Sequence, residues 1–113
     1  MVKYGKMVNE LFSGANKNMD SEFLSVIHAV LGIVTEAGEL ADAIKKVVGY
    51  SDKLNMGNVI EEMGDIEFYL EALRQHFSIT REEILLENMS KLSKRYTAGK
   101  FSSQHALDRA DKA

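Results

Sequence analysis

The sequence predicts an all-α fold, a helical bundle of about four main helices. Proline is absent from all 113 residues, so no pyrrolidine ring interrupts a helix. Alanine, leucine, glutamate and lysine, all good helix formers, are plentiful. Apolar residues recur at three- and four-residue spacing in successive segments, the period of an amphipathic helix.

Residues 3–13 carry Tyr4, Met7, Val8, Leu11 and Phe12 on one stripe, with Gly14 as the stop and 15–18 as a loop. Asp20 or Ser21 is placed to cap a long second helix, from about Ser21 to Val48. Its first half, Phe23 to Val34, is apolar nearly all round. Such a helix must be covered on most sides, and one short chain has few helices to do it. A homodimer or homotetramer is therefore expected. Further on, Leu40, Ile44, Val47 and Val48 read as inward and Asp42, Lys45 and Lys46 as outward, before Gly49 stops the helix.

A third helix opens with Asn58 as the cap and Glu61 three residues on, or a turn earlier near Asn55, and reaches about Phe77. Ser78-Ile79 breaks it. Thr80 with Glu83 forms a capping box for a fourth helix to about Tyr96. Leu85, Met89, Leu92 and Tyr96 form its inner stripe, and Asn88, Lys91 and Arg95 share a neighbouring face. Gly99 closes that segment, Phe101 is expected against the body, and 103–113 suit a short helix around Ala106, Leu107 and Ala110.

The length fits a single domain, 1–113, with its core at about 21–101. A net charge of −3 argues against a general nucleic-acid binder. The chain has no cysteine, which excludes disulfides and thiolate metal sites and fits a cytoplasmic protein. No stretch is expected to span a membrane, and the first residues lack a signal-peptide core.

The chemistry concentrates on the second and third helices. Glu36 and Glu39 lie three residues apart in one, Glu62 and Asp65 in the other, so each pair shares a helix face. Both pairs sit among apolar residues, where a solvated charged face is out of place. Antiparallel packing brings the four carboxylates together, and their mutual repulsion raises their pKa values. A hard divalent cation, Mg2+ or Mn2+, relieves that repulsion through oxygen ligands. Gly38 and Gly64 lie within the two pairs, each costing about 1 kcal/mol against alanine, which suggests close approach of a backbone or ligand. The bland alternative is a structural bundle whose acidic helices only dimerise. No Glu-x-x-His pair occurs, against a ferritin-like di-iron site. His28 reads as an interior or interface histidine and Phe68 and Tyr69 as core aromatics rather than base-stacking ones.

Glu36-Ala37-Gly38-Glu39-Leu40, followed by Glu61-Glu62-Met63-Gly64-Asp65-Ile66, resembles the signature of the MazG-like nucleotide pyrophosphohydrolases of the all-α NTP pyrophosphatase superfamily. The stretch from Asn88 to Phe101 is similar to the family's segment after the metal helices, so the resemblance spans about 21–101. It implies hydrolysis of a nucleoside triphosphate to monophosphate and pyrophosphate, with the metal-binding positions at Glu36, Glu39, Glu62 and Asp65. Glu36 or Glu39 is the candidate for the base that takes the water's proton. The phosphate-contacting positions fall on Lys91 and Arg95. Asn88, on the same face, is a candidate for sugar or phosphate, and Lys53 is a weaker phosphate candidate. Thr35 stands where the motif has its first glutamate and supplies no carboxylate. The competing reading of another class is a non-catalytic helical regulator that binds a nucleotide or a partner.

Overall fold

The computed structural model describes residues 2–17, 22–50, 53–97 and 103–108. Four main helices and a short fifth account for nearly all of them: α1 (Val2–Ala15), α2 (Glu22–Tyr50), α3 (Met56–Phe77), α4 (Arg81–Arg95) and α5 (Ser103–Asp108). No strand occurs among the described residues. The all-α fold class is thus correct. The chain divides into two compact units, Met1–Ser78 with α1 to α3 and Ile79–Ala113 with α4 and α5.

The first unit is built on α2 and α3. A β-carbon added to Gly32 of α2 would come within 2.5 Å of the Tyr69 ring of α3. Glu36 meets Glu62 four residues further along α2 and seven back along α3, and Ala43 shares a cavity with Asn58. The paired numbers rise on one helix as they fall on the other, so the two run antiparallel. Ala29 and Ala72 are buried beside the same seam. Small residues here let the two backbones come close enough for large neighbours to fill the flanks.

The first helix closes this unit. Val8 is completely buried. His28 Nδ1 donates to Asn16 Oδ1 at 2.7 Å, and Asn16 Nδ2 donates to the Phe12 carbonyl at 3.0 Å. The His28 ring stacks on Phe12 and meets Tyr69 edge-on, which satisfies its expected interior role. At the other end of α1, Gln75 Nε2 donates to the Gly5 carbonyl at 2.7 Å and to Glu71 Oε2 at 2.7 Å. The buried Arg74 is paired with Glu71 at 3.0 Å and with Glu67 at 3.6 Å. A buried guanidinium requires such partners.

Helix ends follow local chemistry. Asn55, not Asn58, caps α3: its side chain accepts from the Asn58 backbone N–H at 3.1 Å. Ser78 ends α3 in the left-handed region (φ 55°), its N–H donating to Arg74 and Gln75 carbonyls. Thr80 caps α4 by accepting from the Glu83 N–H at 3.1 Å, as expected. Gly14 and Gly49 lie inside α1 and α2, which end one residue later, at Ala15 and Tyr50. Exposed glycine costs a helix about 1 kcal/mol, too little to stop one that packs on a neighbour. The caps expected at Asp20 or Ser21, the stop at Gly99, the packing of Phe101 and the helical role of Ala110 fall outside the described residues.

Apolar surface left open is extensive. On α2, Phe23 is 68% exposed, Leu31 57% and Val34 62%. Val48, expected inward, is 82% exposed, because α3 begins only at Met56 and the last turns of α2 extend past it. On α4 the expected inner residues Leu85, Met89 and Leu92 are also exposed. By length and composition α2 is apolar enough to cross a membrane, contrary to the expectation that no stretch is. A helix buried between protein surfaces meets the same description.

Candidate metal centre

The site lies on the facing surfaces of α2 and α3. Glu36 reaches it from α2, and Glu62 and Asp65 reach it from successive turns of α3. One carboxylate oxygen from each of the three lies within 4.8 Å of the others. Glu36 and Glu62 are half-buried and Asp65 is exposed, so the cluster has a closed floor and an open side. Glu39 stands one turn further along α2, exposed and outside the trio. Its charge is still near enough to act on Glu62.

Glu62 is the residue under most pressure. Its Oε2 is buried with no hydrogen-bond partner. Desolvation pushes the Glu62 carboxyl above the usual carboxylate range, the charges of Glu36 and Asp65 and a side-chain hydrogen bond with Glu36 push it further, and Glu39 adds a smaller push. A buried acceptor without a donor is costly and calls for a counter-charge. The donor set of three or four carboxylate oxygens, with one oxygen orphaned, fits a hard divalent cation rather than a soft or thiophilic one.

The residues around the trio and on α4 divide clearly. Thr35 Oγ1 donates to the Gly32 carbonyl at 3.0 Å, so this hydroxyl is turned back onto its own helix. Glu67 pairs with Arg74, and Glu61 is exposed. Tyr69 and Phe68 pack edge to face at 5.2 Å within the first unit, consistent with core roles. Asn88, Lys91 and Arg95 belong to α4 in the second unit. Asn88 and Lys91 line a shallow groove there with Ile79, Glu83, Ile84 and Glu87. Arg95 is half-buried.

The glycines within the motifs do not mark a close contact. A β-carbon on Gly38 or Gly64 would have no heavy atom within 4 Å. At 100° per residue each points well away from the carboxylates of its own helix. The close approach on α2 is at Gly32 instead. Its signal in the sequence is a glycine four residues before Glu36, in a run otherwise filled by larger apolar residues.

Residues 25–99 match the family model described as "MazG nucleotide pyrophosphohydrolase domain", a match that runs through both units. The chain is also similar to the "Gene 37 protein" of Mycobacterium phage L5. The two are 28% identical over 93 residues, which cover 79% of this chain and 80% of the phage protein. No solved structure matches the chain significantly. The family match covers both motif pairs and all of α4, and on that extent the chain belongs to the MazG nucleotide pyrophosphohydrolase family.

Proposed function

We propose that this protein hydrolyses (deoxy)nucleoside triphosphates to the nucleoside monophosphate and pyrophosphate in a Mg2+-dependent reaction, with Mn2+ as an alternative ion. The observation that carries the reading is the partnerless, buried Glu62 Oε2 beside Glu36 and Asp65, in a chain of this family. Glu36, Glu62 and Asp65 hold the ion, with Glu39 as the fourth ligand. When bound, it neutralises phosphate charge and makes water more acidic.

The residues of the chain do the rest. Glu36 or Glu39, whichever is not fully engaged as a ligand, accepts the proton of the attacking water. The water oxygen bonds to the α-phosphorus as the bond from that phosphorus to the α,β-bridging oxygen breaks. Pyrophosphate departs with the bonding electron pair. Lys91 and Arg95 neutralise phosphate oxygens, and Asn88 hydrogen-bonds sugar or phosphate. The protein works in the cytoplasm as a homodimer or homotetramer. The exposed apolar face of α2, at Phe23, Leu31 and Val34, supports self-association.

A second reading keeps the scaffold and drops the chemistry: a regulator that binds nucleotide or partner without turnover. Thr35 favours it, since that motif position offers no carboxylate and its hydroxyl is already used within α2. Phosphorus NMR of a panel of ribo- and deoxynucleoside triphosphates with Mg2+ separates the two. Monophosphate and pyrophosphate, both vanishing with chelator, are the expected products. Diphosphate and orthophosphate would mean a different bond is cut, and no product from any nucleotide would favour the regulator.

A further inference from the structure

A second feature of the groove between α2 and α3 has the opposite charge. A cavity of about 340 Å3 is lined by Ala43 and Lys46 of α2, Lys53 and Asn55 of the connection, and Asn58 of α3. Two lysines, two amide side chains and one methyl group form its wall, with no carboxylate among them.

Its position ties it to the carboxylates. Ala43 lies seven residues after Glu36, two turns on and on the same face of α2. Asn58 lies four residues before Glu62, one turn back on the same face of α3, about 6 Å along the axis. The cavity therefore lies further along the α2–α3 seam from the acidic site, toward the connection between the helices. An acidic centre followed within one or two turns by a basic pocket matches a substrate whose reacting phosphorus lies at a cation and whose remaining anionic phosphates extend to one side.

We propose that this cavity is the subsite for the pyrophosphate end of the substrate, with Lys46 and Lys53 pairing with the β- and γ-phosphate oxygens. The assignment rests on the hydrolase reading and fixes the direction of the substrate in the groove. The phosphate tail points toward the connection and the nucleoside points away from it. Lys46 now pairs with Asp42 at 3.2 Å, a half-exposed i,i+4 bridge. Such bridges contribute little to stability, so Lys46 can exchange that partner for phosphate. Asn55 Oδ1 is held by the Asn58 N–H, which leaves the Asn55 amide N–H groups to donate into the pocket. Asn58 offers its side-chain amide from the next turn.

The test is calorimetric titration of magnesium pyrophosphate, with no nucleotide present, into the wild type, the double variant Lys46→Gln/Lys53→Gln, and Lys45→Gln. Lys45 is exposed on α2 and does not line the cavity, so it controls for the loss of a neighbouring lysine charge outside the pocket. The double variant should bind pyrophosphate at least tenfold more weakly, with Lys45→Gln unchanged, and the KM for a hydrolysed triphosphate should rise in parallel. Circular dichroism reports whether the variants fold. Equal affinity in wild type and double variant, or no pyrophosphate binding to the wild type, overturns the assignment and leaves the hydrolase reading untouched. Weakened pyrophosphate binding in the double variant, with no triphosphate hydrolysed by the wild type, supports the pocket and removes the hydrolase reading.

Discussion

The Tyr69 ring occupies the space that a β-carbon on Gly32 would need, with two ring atoms 2.5 Å from it and a third at 2.6 Å. Because both residues lie on the seam that carries Glu36 and Glu62, this contact sets the spacing of the carboxylates. Gly32→Ala should destabilise the protein by about 1–3 kcal/mol, the usual cost of overpacking, despite alanine's better helix propensity. Gly64→Ala and Gly38→Ala, with open space around them, should each gain up to about 1 kcal/mol. Urea denaturation of the three variants checks the contrast. A loss at Gly38 or Gly64 would mean that something outside this chain approaches there.

Metal binding should be visible as stability. An ion that binds only the folded state raises stability by about 2.7 kcal/mol at a hundredfold excess over its dissociation constant. Melting temperature should therefore rise with Mg2+ and fall back with chelator. Glu62→Gln should reverse the pattern. Without metal the variant should melt higher than wild type, because an ionised carboxylate that burial and its neighbours disfavour has been removed. Adding Mg2+ should then change its melting little. A full Mg2+ response in Glu62→Gln would place the ion elsewhere.

Acid should act through Glu71. Burial alone raises its carboxyl, but hydrogen bonds from Gln75 and Arg74 and the Arg74 charge outweigh burial and hold it below the ordinary value. Its folded pKa lies under its unfolded one, so its contribution is present above the ordinary carboxylate range. That contribution is lost as pH falls through the lowered folded value. Glu71→Gln should cost about 1–3 kcal/mol at neutral pH, because Arg74 is left with only the longer Glu67 contact. Its melting temperature should also vary less than wild type's as the pH falls below about 5. An unchanged pH profile would show that the Arg74 network contributes nothing to acid stability.

At Ser78 the backbone is left-handed at φ 55°, a conformation glycine adopts without strain. Ser78→Gly should therefore hold or raise stability, by up to about 1 kcal/mol after glycine's greater unfolded-state entropy is counted, with the melting temperature unchanged or higher. Ser78→Val should lower it. The reverse order would show that the serine hydroxyl, not the backbone, closes α3.

Much of this architecture was legible because it is local. Helix periodicity, the Thr80–Glu83 cap and the placement of two carboxylate pairs on consecutive helices each depend on residues within a turn or two of one another. What was not legible depends on partners far apart in sequence. Gly38 and Gly64 looked like the tight glycines, but tightness at Gly32 depends on Tyr69, 37 residues later in the chain. Helix spacing and the family resemblance both group Glu39 with the other three, yet the trio forms around Glu62, whose position is set by the register of α3. Asn58 and Asn55 are equally good caps by residue type, and only the register of the first turn selects Asn55. The pocket of Lys46 and Lys53 needed the same register, since in sequence these lysines belong to an ordinary outward face and a connection.

The most direct test of the account is pyrophosphate release by folded Glu62→Gln beside wild type, with Mg2+ and with chelator, on the triphosphate that the wild type prefers. The account predicts release by wild type only with Mg2+. It predicts a loss on the order of 100-fold or more in the variant, the scale of removing one preorganised electrostatic group from a reacting centre. Near-wild-type release by Glu62→Gln would contradict it, and would move the chemistry away from the carboxylates that α2 and α3 bring together.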